Sequence, residues 1–241
     1  MTNIVATIEA RMGSTRLPGK VLKEAVGKPL LLLMLERVRL ARYLDKIVVA
    51  TTVQPQDDEI ASFCDRYGIN CFRGSEDFVL ERVVEAGRQY GAEISVLLTG
   101  DCPLIDPYTI DQHVCAFLAA RPHVDYVTNC EIRSYPHGLD LQVVAWKTLA
   151  ETLNFAHTQS CREHVGWFIR RNPKHYKRLD IIAPSGLSNP FFRITLDYPE
   201  DYKRIQAIFA ELYPKNPAFT TVDILNYAYQ QGWIDSFNSI T

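Results

Sequence analysis

Apolar residues in the first half of the chain come in short unbroken runs, separated by segments that read as helices. Ile4–Ala10, Ile47–Val53 and Ile94–Thr99 are such runs, and Asn70–Arg73 is a shorter strand candidate. Strands that are apolar on both faces belong inside a parallel sheet covered by helices. The covering helices are expected at Leu30–Arg42, Gln56–Tyr67, Glu76–Tyr90 and Asp106–Ala120. Pro29 suits a first helical position, and Gly68 and Gly91 suit C-terminal caps. Leu30–Arg42 is apolar around much of its circumference, so it should pack deeply.

The second half is less regular. Tyr126–Asn129 and Leu139–Trp146 read as strands joined through the polar segment Cys130–Gly138. Ser160–Arg171 reads as a helix that stops before Pro173. Lys177–Ile182 and Phe191–Asp197 read as two more strands, and Pro199–Leu212 and Val222–Gln231 as closing helices. No repeat or linker interrupts the pattern. The expectation is one domain, residues 1–241, with an α/β core and a smaller mixed extension around 130–185.

Composition narrows the function classes. The net charge of −2 gives no electrostatic case for nucleic-acid binding. No apolar run approaches the ~18 residues of a membrane span, and no signal-peptide pattern opens the chain. The six cysteines carry no C-x-x-C, so they read as reduced thiols of a cytoplasmic protein.

Candidate chemistry gathers at strand ends, where open α/β sheets bind ligands. The strand from Ile4 empties into a loop carrying Arg11, Gly13, Ser14, Thr15, Arg16, Gly19 and Lys20. Glycines let backbone N–H groups approach an anion, and the cations add charge, so the loop suits a polyphosphate. It is neither a Walker A loop nor a dinucleotide fingerprint. Asp101 follows the strand that ends at Thr99, where it can serve a metal or cap the turn before Pro103. In Phe-Phe-Arg-Ile-Thr-Leu-Asp, alternation puts Arg193, Thr195 and Asp197 on one polar face; a solvated edge strand explains that pattern equally well. Asp101 and Asp197 could converge on one Mg²⁺ beside the loop. Glu200 and Asp201 suit the start of the next helix.

The loop Arg11-Met-Gly-Ser-Thr-Arg-Leu-Pro-Gly-Lys20 resembles the R-x-x-S-x-R-L-P-G-K segment of the sugar-activating cytidylyltransferases. These include the CMP-Kdo and CMP-sialic acid synthetases and, closer, the family of spore-coat polysaccharide biosynthesis protein F. Gly100-Asp101-Cys102-Pro103-Leu104 and Asp197-Tyr198-Pro199-Glu200-Asp201 resemble that family's G-D-x-P-L and D-x-P-E-D motifs. The resemblance implies the nucleotide-diphospho-sugar transferase fold and transfer of CMP from CTP to a sugar, with release of pyrophosphate. It implies Mg²⁺ on Asp101 and Asp197, and a triphosphate gripped by Arg11, Arg16 and Lys20. It also implies nucleotide contacts from Ser75, Arg82, Thr99 and Gly100, and sugar contacts from His137, Asp140 and Gln142. Arg162, His164 and Arg193 join the candidates for binding the substrate. Ser75 also suits a plain helix cap, and Arg162 plain helix surface.

Thr99 stands where the CMP-Kdo synthetases have Gln, and Cys102 where they have Glu. The metal residues are unaffected, but the acceptor is expected to be another acidic sugar or surface-polysaccharide precursor. Relatives are often homodimers through the extension, which the apolar content of 139–168 permits. Two rivals remain at this stage. One is a glycosyltransferase of the same fold, whose carboxylates usually form a D-x-D that Asp101-Cys102-Pro103 lacks. The other is a non-catalytic nucleotide-binding protein.

Overall fold

The computed structural model describes residues 2–235. Strand β1 (Ile4–Glu9) leads through the basic loop into a two-stranded hairpin, β2 (Glu24–Ala25) and β3 (Lys28–Pro29), and then helix α1 (Leu30–Val38). There follow β4 (Lys46–Thr52), α2 (Asp58–Arg66), β5 (Asn70–Gly74), α3 (Val79–Gln89), β6 (Ile94–Thr99) and α4 (Pro107–Ala120). The less regular half supplies β7 (Tyr126–Thr128), β8 (Gln142–Ala145), α5 (Trp146–Glu151), α6 (Gln159–Glu163), α7 (Trp167–Arg171) and β9 (Arg178–Asp180). Helices α8 (Pro199–Leu212) and α9 (Thr221–Gln230) close the described chain.

Seven strands form one sheet in the order β5-β4-β1-β6-β8-β7-β9. All pairings are parallel except those of β8, which runs antiparallel to β6 and β7. Within residues 130–185, β8 enters the main sheet and β9 forms its edge. The register sets Glu9 of β1 opposite Ala50 of β4 and Thr99 of β6, so the loops after β1 and β6 leave the same end of the sheet.

Helix α1 explains the all-round apolar pattern of its sequence. Leu31, Leu32, Met34 and Leu35 pack in the core between the sheet and α2 and α4, while Leu30 and Leu33 face a second core with α8 and α9. Arg37 is sealed inside this junction. It donates to the carbonyls of Ile105 (3.0 Å) and Phe219 (2.9 Å), and burial lowers its pKa to about 10. The opposite face of the sheet packs on α3 and on α5 to α7.

Four local expectations change. Pro29 lies before α1 rather than inside it, paired with Glu24 in the small hairpin. Helix α3 starts at Val79 instead of Glu76, because residues 75–78 form a bend in which Phe78 N–H donates to Ser75 Oγ (3.1 Å). Ser160–Arg171 is two short helices, broken at Gly166 with φ of 78°. Phe191–Asp197 is not a strand: one isolated bridge joins Arg193 to His137, and the rest of the segment forms no ladder.

Candidate functional site

The loop after β1 is held from both ends by local chemistry. Met12 N–H donates to the buried carboxylate of Asp57 (2.6 Å), and the N–H groups of Ser14 and Gly19 donate back to the Met12 carbonyl (2.8 and 3.1 Å). Ser14 Oγ accepts from Leu17 N–H (3.3 Å), and the Leu17 side chain anchors in the second core. Gly19 takes φ of 65°, a left-handed turn that brings Lys20 back beneath the loop.

Lys20 is where the three predicted elements meet. Its Nζ lies 3.0 Å from Asp101 Oδ2 and 3.1 Å from Asp197 Oδ1. The two carboxylates come from segments with no sequence proximity. A backbone clamp joins them: Leu196 N–H donates to the Asp101 carbonyl (2.7 Å), as does Thr195 Oγ1 (3.2 Å). Gly100 N–H donates to the Glu9 carbonyl (2.8 Å), and a Cβ at Gly100 would stand 2.9 Å from that oxygen, so the turn carrying Asp101 lies flush on β1.

Asp197 carries the densest set of cationic partners. Arg16 reaches its Oδ1 (2.9 Å) while lying over the Tyr198 ring, and Arg193 reaches its Oδ2 (2.9 Å). Burial pushes this carboxyl upward, but the hydrogen bonds from Arg193 and Lys20 outweigh it and hold the group below the usual carboxylate range. Asp201 positions it: its Oδ2 accepts from the N–H groups of Asp197 and Tyr198, both at 3.0 Å. The expected helix-start role of Asp201 thus serves the site as well.

Arg193 extends the network away from Lys20. Its Nη1 donates to His137 Nδ1 (3.0 Å), while Asp140 stands 3.7 Å from His137 Nε2 and 2.9 Å from Arg133. Burial lowers the His137 pKa, with Arg133 and Arg193 adding to the effect against Asp140, which favours the neutral ring that Arg193 requires. Gly138 (φ of 117°) lets this turn press onto the Asp197 segment: a Cβ there would meet Ile194 C at 2.7 Å. His137, Asp140 and Arg193 therefore form one cluster beside the metal candidates.

A cleft of about 380 Å³ lies between the loop after β1, the Asp101 turn and Asp197. Of the residues the sequence singles out, Arg11, Gly13, Ser14, Thr15, Arg16, Lys20, Arg82, Thr99, Gly100, Asp101, His164 and Asp197 line it. Three do not. The Ser75 hydroxyl is spent on the bend before α3, and its carbonyl accepts from Arg82 (2.5 Å). Gln142 accepts from Tyr126 Oη (2.5 Å) inside the extension. Arg162 donates to the Ala156 carbonyl (3.1 Å) and lies over Phe78, a packing role. Cys102 is buried against Thr99, and burial raises its thiol pKa well above the ordinary value, which suits a packed side chain.

Glu9 is one of two cleft carboxylates, with Glu163, that sequence reading passes over. It ends β1, and desolvation raises its pKa to about 7, against the pull of Arg82 and Arg11. A carboxyl whose folded pKa lies above its unfolded one binds protons more tightly when folded, so its ionisation works against the fold as pH rises from the ordinary value to about 7. Glu9→Gln is expected to raise the Tm by roughly 3–8 °C at pH 8 and to leave it nearly unchanged at pH 5. Paired thermal melts check this.

Comparison with known proteins bears on what this cleft serves. A family model described as cytidylyltransferase matches residues 5–229. The chain belongs to that family. It is 34% identical over 214 residues to the spore coat polysaccharide biosynthesis protein SpsF of Bacillus subtilis (strain 168), an alignment covering 87% of each. A solved cytidylyltransferase from Leptospira borgpetersenii serovar Hardjo-bovis superposes over all of both chains, with a TM-score of 0.91 at 29% identity. The CMP:2-keto-3-deoxy-manno-octonic acid synthetase complexed with CTP covers 87% of this chain and 99% of its own, with a TM-score of 0.65 at 18% identity. The fold is that of the nucleotide-diphospho-sugar transferases, and this cytidylyltransferase keeps its motif residues around one cleft. No described helix is long and apolar enough to cross a membrane.

Proposed function

We propose that this cytidylyltransferase moves CMP from CTP to a hydroxyl of an acidic sugar, releasing pyrophosphate, with Mg²⁺ as its cofactor. The observation that carries the reading is the convergence of Lys20, Asp101 and Asp197 at the mouth of the Arg11–Lys20 loop. The donor set fits the ion. Two carboxylates already share one cationic partner, and Mg²⁺ usually takes one or two carboxylates, completing its shell with phosphate and water oxygens. Among the described residues no group of three or more ligating side chains offers a fuller cage. When bound between Asp101 and Asp197, the ion would neutralise charge on the α-phosphate and acidify the acceptor hydroxyl.

The chain's own residues do the rest by position and charge. Arg11 and Arg16, about half exposed on the loop, can swing onto the β- and γ-phosphates, and Lys20 can follow from the carboxylates. Their charge then stabilises the departing pyrophosphate, the main task in such transfers. The Arg193–His137–Asp140–Arg133 cluster flanks Asp197 and supplies fixed cations for an acidic sugar. Surface-polysaccharide synthesis is the setting that the name of the Bacillus relative indicates for that protein, and we extend it to this chain. We also propose a cytoplasmic location and a homodimer formed through residues 130–185.

Thermal melts with CTP, UTP, ATP and GTP, each with and without Mg²⁺, test the reading. A ligand at about a hundred times its Kd adds roughly 2.7 kcal/mol, so CTP with Mg²⁺ is expected to raise the Tm by roughly 5 °C or more. A shift with UTP or GTP instead would change the donor, and no shift with any triphosphate would contradict the nucleotide reading. Sugar transfer from a nucleotide sugar without pyrophosphate release would favour the glycosyltransferase alternative.

A further inference from the structure

We propose that Glu9 selects the nucleotide base, its carboxylate accepting a hydrogen bond from the exocyclic amine of cytosine on the floor of the cleft. This rests on the CTP reading above and adds which group in the chain tells one pyrimidine from the other.

The cleft is divided by charge. Arg11, Arg16 and Lys20 line the loop side, and Asp101 and Asp197 the middle. The remaining wall lies against α3, where Glu9 stands with Val79, Arg82 and Thr99. A triphosphate held on the loop cations leaves the base as the part of the nucleotide that can reach this wall. Val79 gives the ring an apolar neighbour.

Glu9 is poised as an acceptor in want of a donor. Among the described residues no N–H or O–H group donates to its carboxylate, and no cation lies within ion-pair distance. Its desolvation is correspondingly costly. The neighbouring Arg82 is equally incomplete. It is 2% exposed, its Nη1 serves the Ser75 carbonyl, and its buried Nε has no partner. A half-buried carboxylate facing the cleft beside a buried cationic nitrogen that has no partner marks a wall completed by something else. Cytosine presents an amine at C4, whereas uracil presents a carbonyl oxygen there. A carboxylate accepts from the first and repels the second.

Calorimetric titration of CTP and UTP, in the presence of Mg²⁺ at pH 8, into wild type, Glu9→Gln and Glu9→Ala tests the proposal. Wild type is expected to prefer CTP. Glu9→Ala is expected to weaken CTP by about tenfold or more with little change for UTP, the scale of one hydrogen bond to a charged group. Glu9→Gln can both accept and donate, so it is expected to bind UTP more tightly and narrow the preference. Full retention of the CTP preference in both variants, or an equal loss for both nucleotides, would overturn the role of Glu9 and leave the CTP reading standing. Failure of wild type to bind either nucleotide would overturn both together.

Discussion

Asp101→Asn is expected to lower pyrophosphate release by roughly a thousandfold while leaving the fold intact. Removing one of two carboxylates from the ion site takes away charge that acts on the transition state, and about 4 kcal/mol of that stabilisation corresponds to this factor. The fold should tolerate the change. The clamp to Leu196 and Thr195 runs through the Asp101 backbone carbonyl, which asparagine keeps. The Asp101 side chain is 29% exposed, and Lys20 retains Asp197 as a partner. Turnover at saturating CTP and acceptor, beside a melt of the same sample, checks both halves. Activity within tenfold of wild type would remove Asp101 from the ion site.

Lys20→Met is expected to act in opposite directions on two measurements. Turnover should fall by at least about a hundredfold, because the departing pyrophosphate loses a cation. Divalent-cation binding to the nucleotide-free protein should tighten by about tenfold or more, because the Lys20 ammonium occupies the space between Asp101 and Asp197 at 3.0 and 3.1 Å. Wild-type protein would then hold its ion well only after a triphosphate has drawn Lys20 away. Mn²⁺ titration followed by electron paramagnetic resonance reads the second effect without any turnover. Asp197 keeps Arg16 and Arg193 in the variant, so its ion pairs persist. The stability they give is present above the ordinary aspartate pKa and fades as pH falls through the lowered value. Unchanged Mn²⁺ affinity would show that Lys20 does not compete for the site.

The sequence carries the α/β core plainly, because apolar runs and glycine caps are local signals that the sheet then satisfies. The loop residues and Asp101 are legible for the same reason: each follows a strand that can be recognised on its own. Asp197 is singled out from a strand that does not form. Ile194 and Leu196 are buried, Asp197 lines the cleft and Arg193 pairs with it, so the alternation is real. It comes from an extended segment pressed on the second core and on His137, not from a ladder. Ser75, Gln142 and Arg162 stand out in the sequence because polar side chains near a motif suggest ligands. Their partners, Phe78, Tyr126 and Ala156, show only in the folded chain. Glu9 is concealed by the apolar run around it, although a charge at the last position of a buried strand, just before a phosphate loop, is itself a signal.

The most direct test is a crystal structure of the protein soaked with CTP and Mn²⁺ in place of Mg²⁺, with anomalous data at the manganese edge. The expected result is one anomalous peak beside Asp101 and Asp197, Lys20 moved off both carboxylates, and the triphosphate along Gly13–Lys20. A peak elsewhere, or CTP bound outside this cleft, would contradict it.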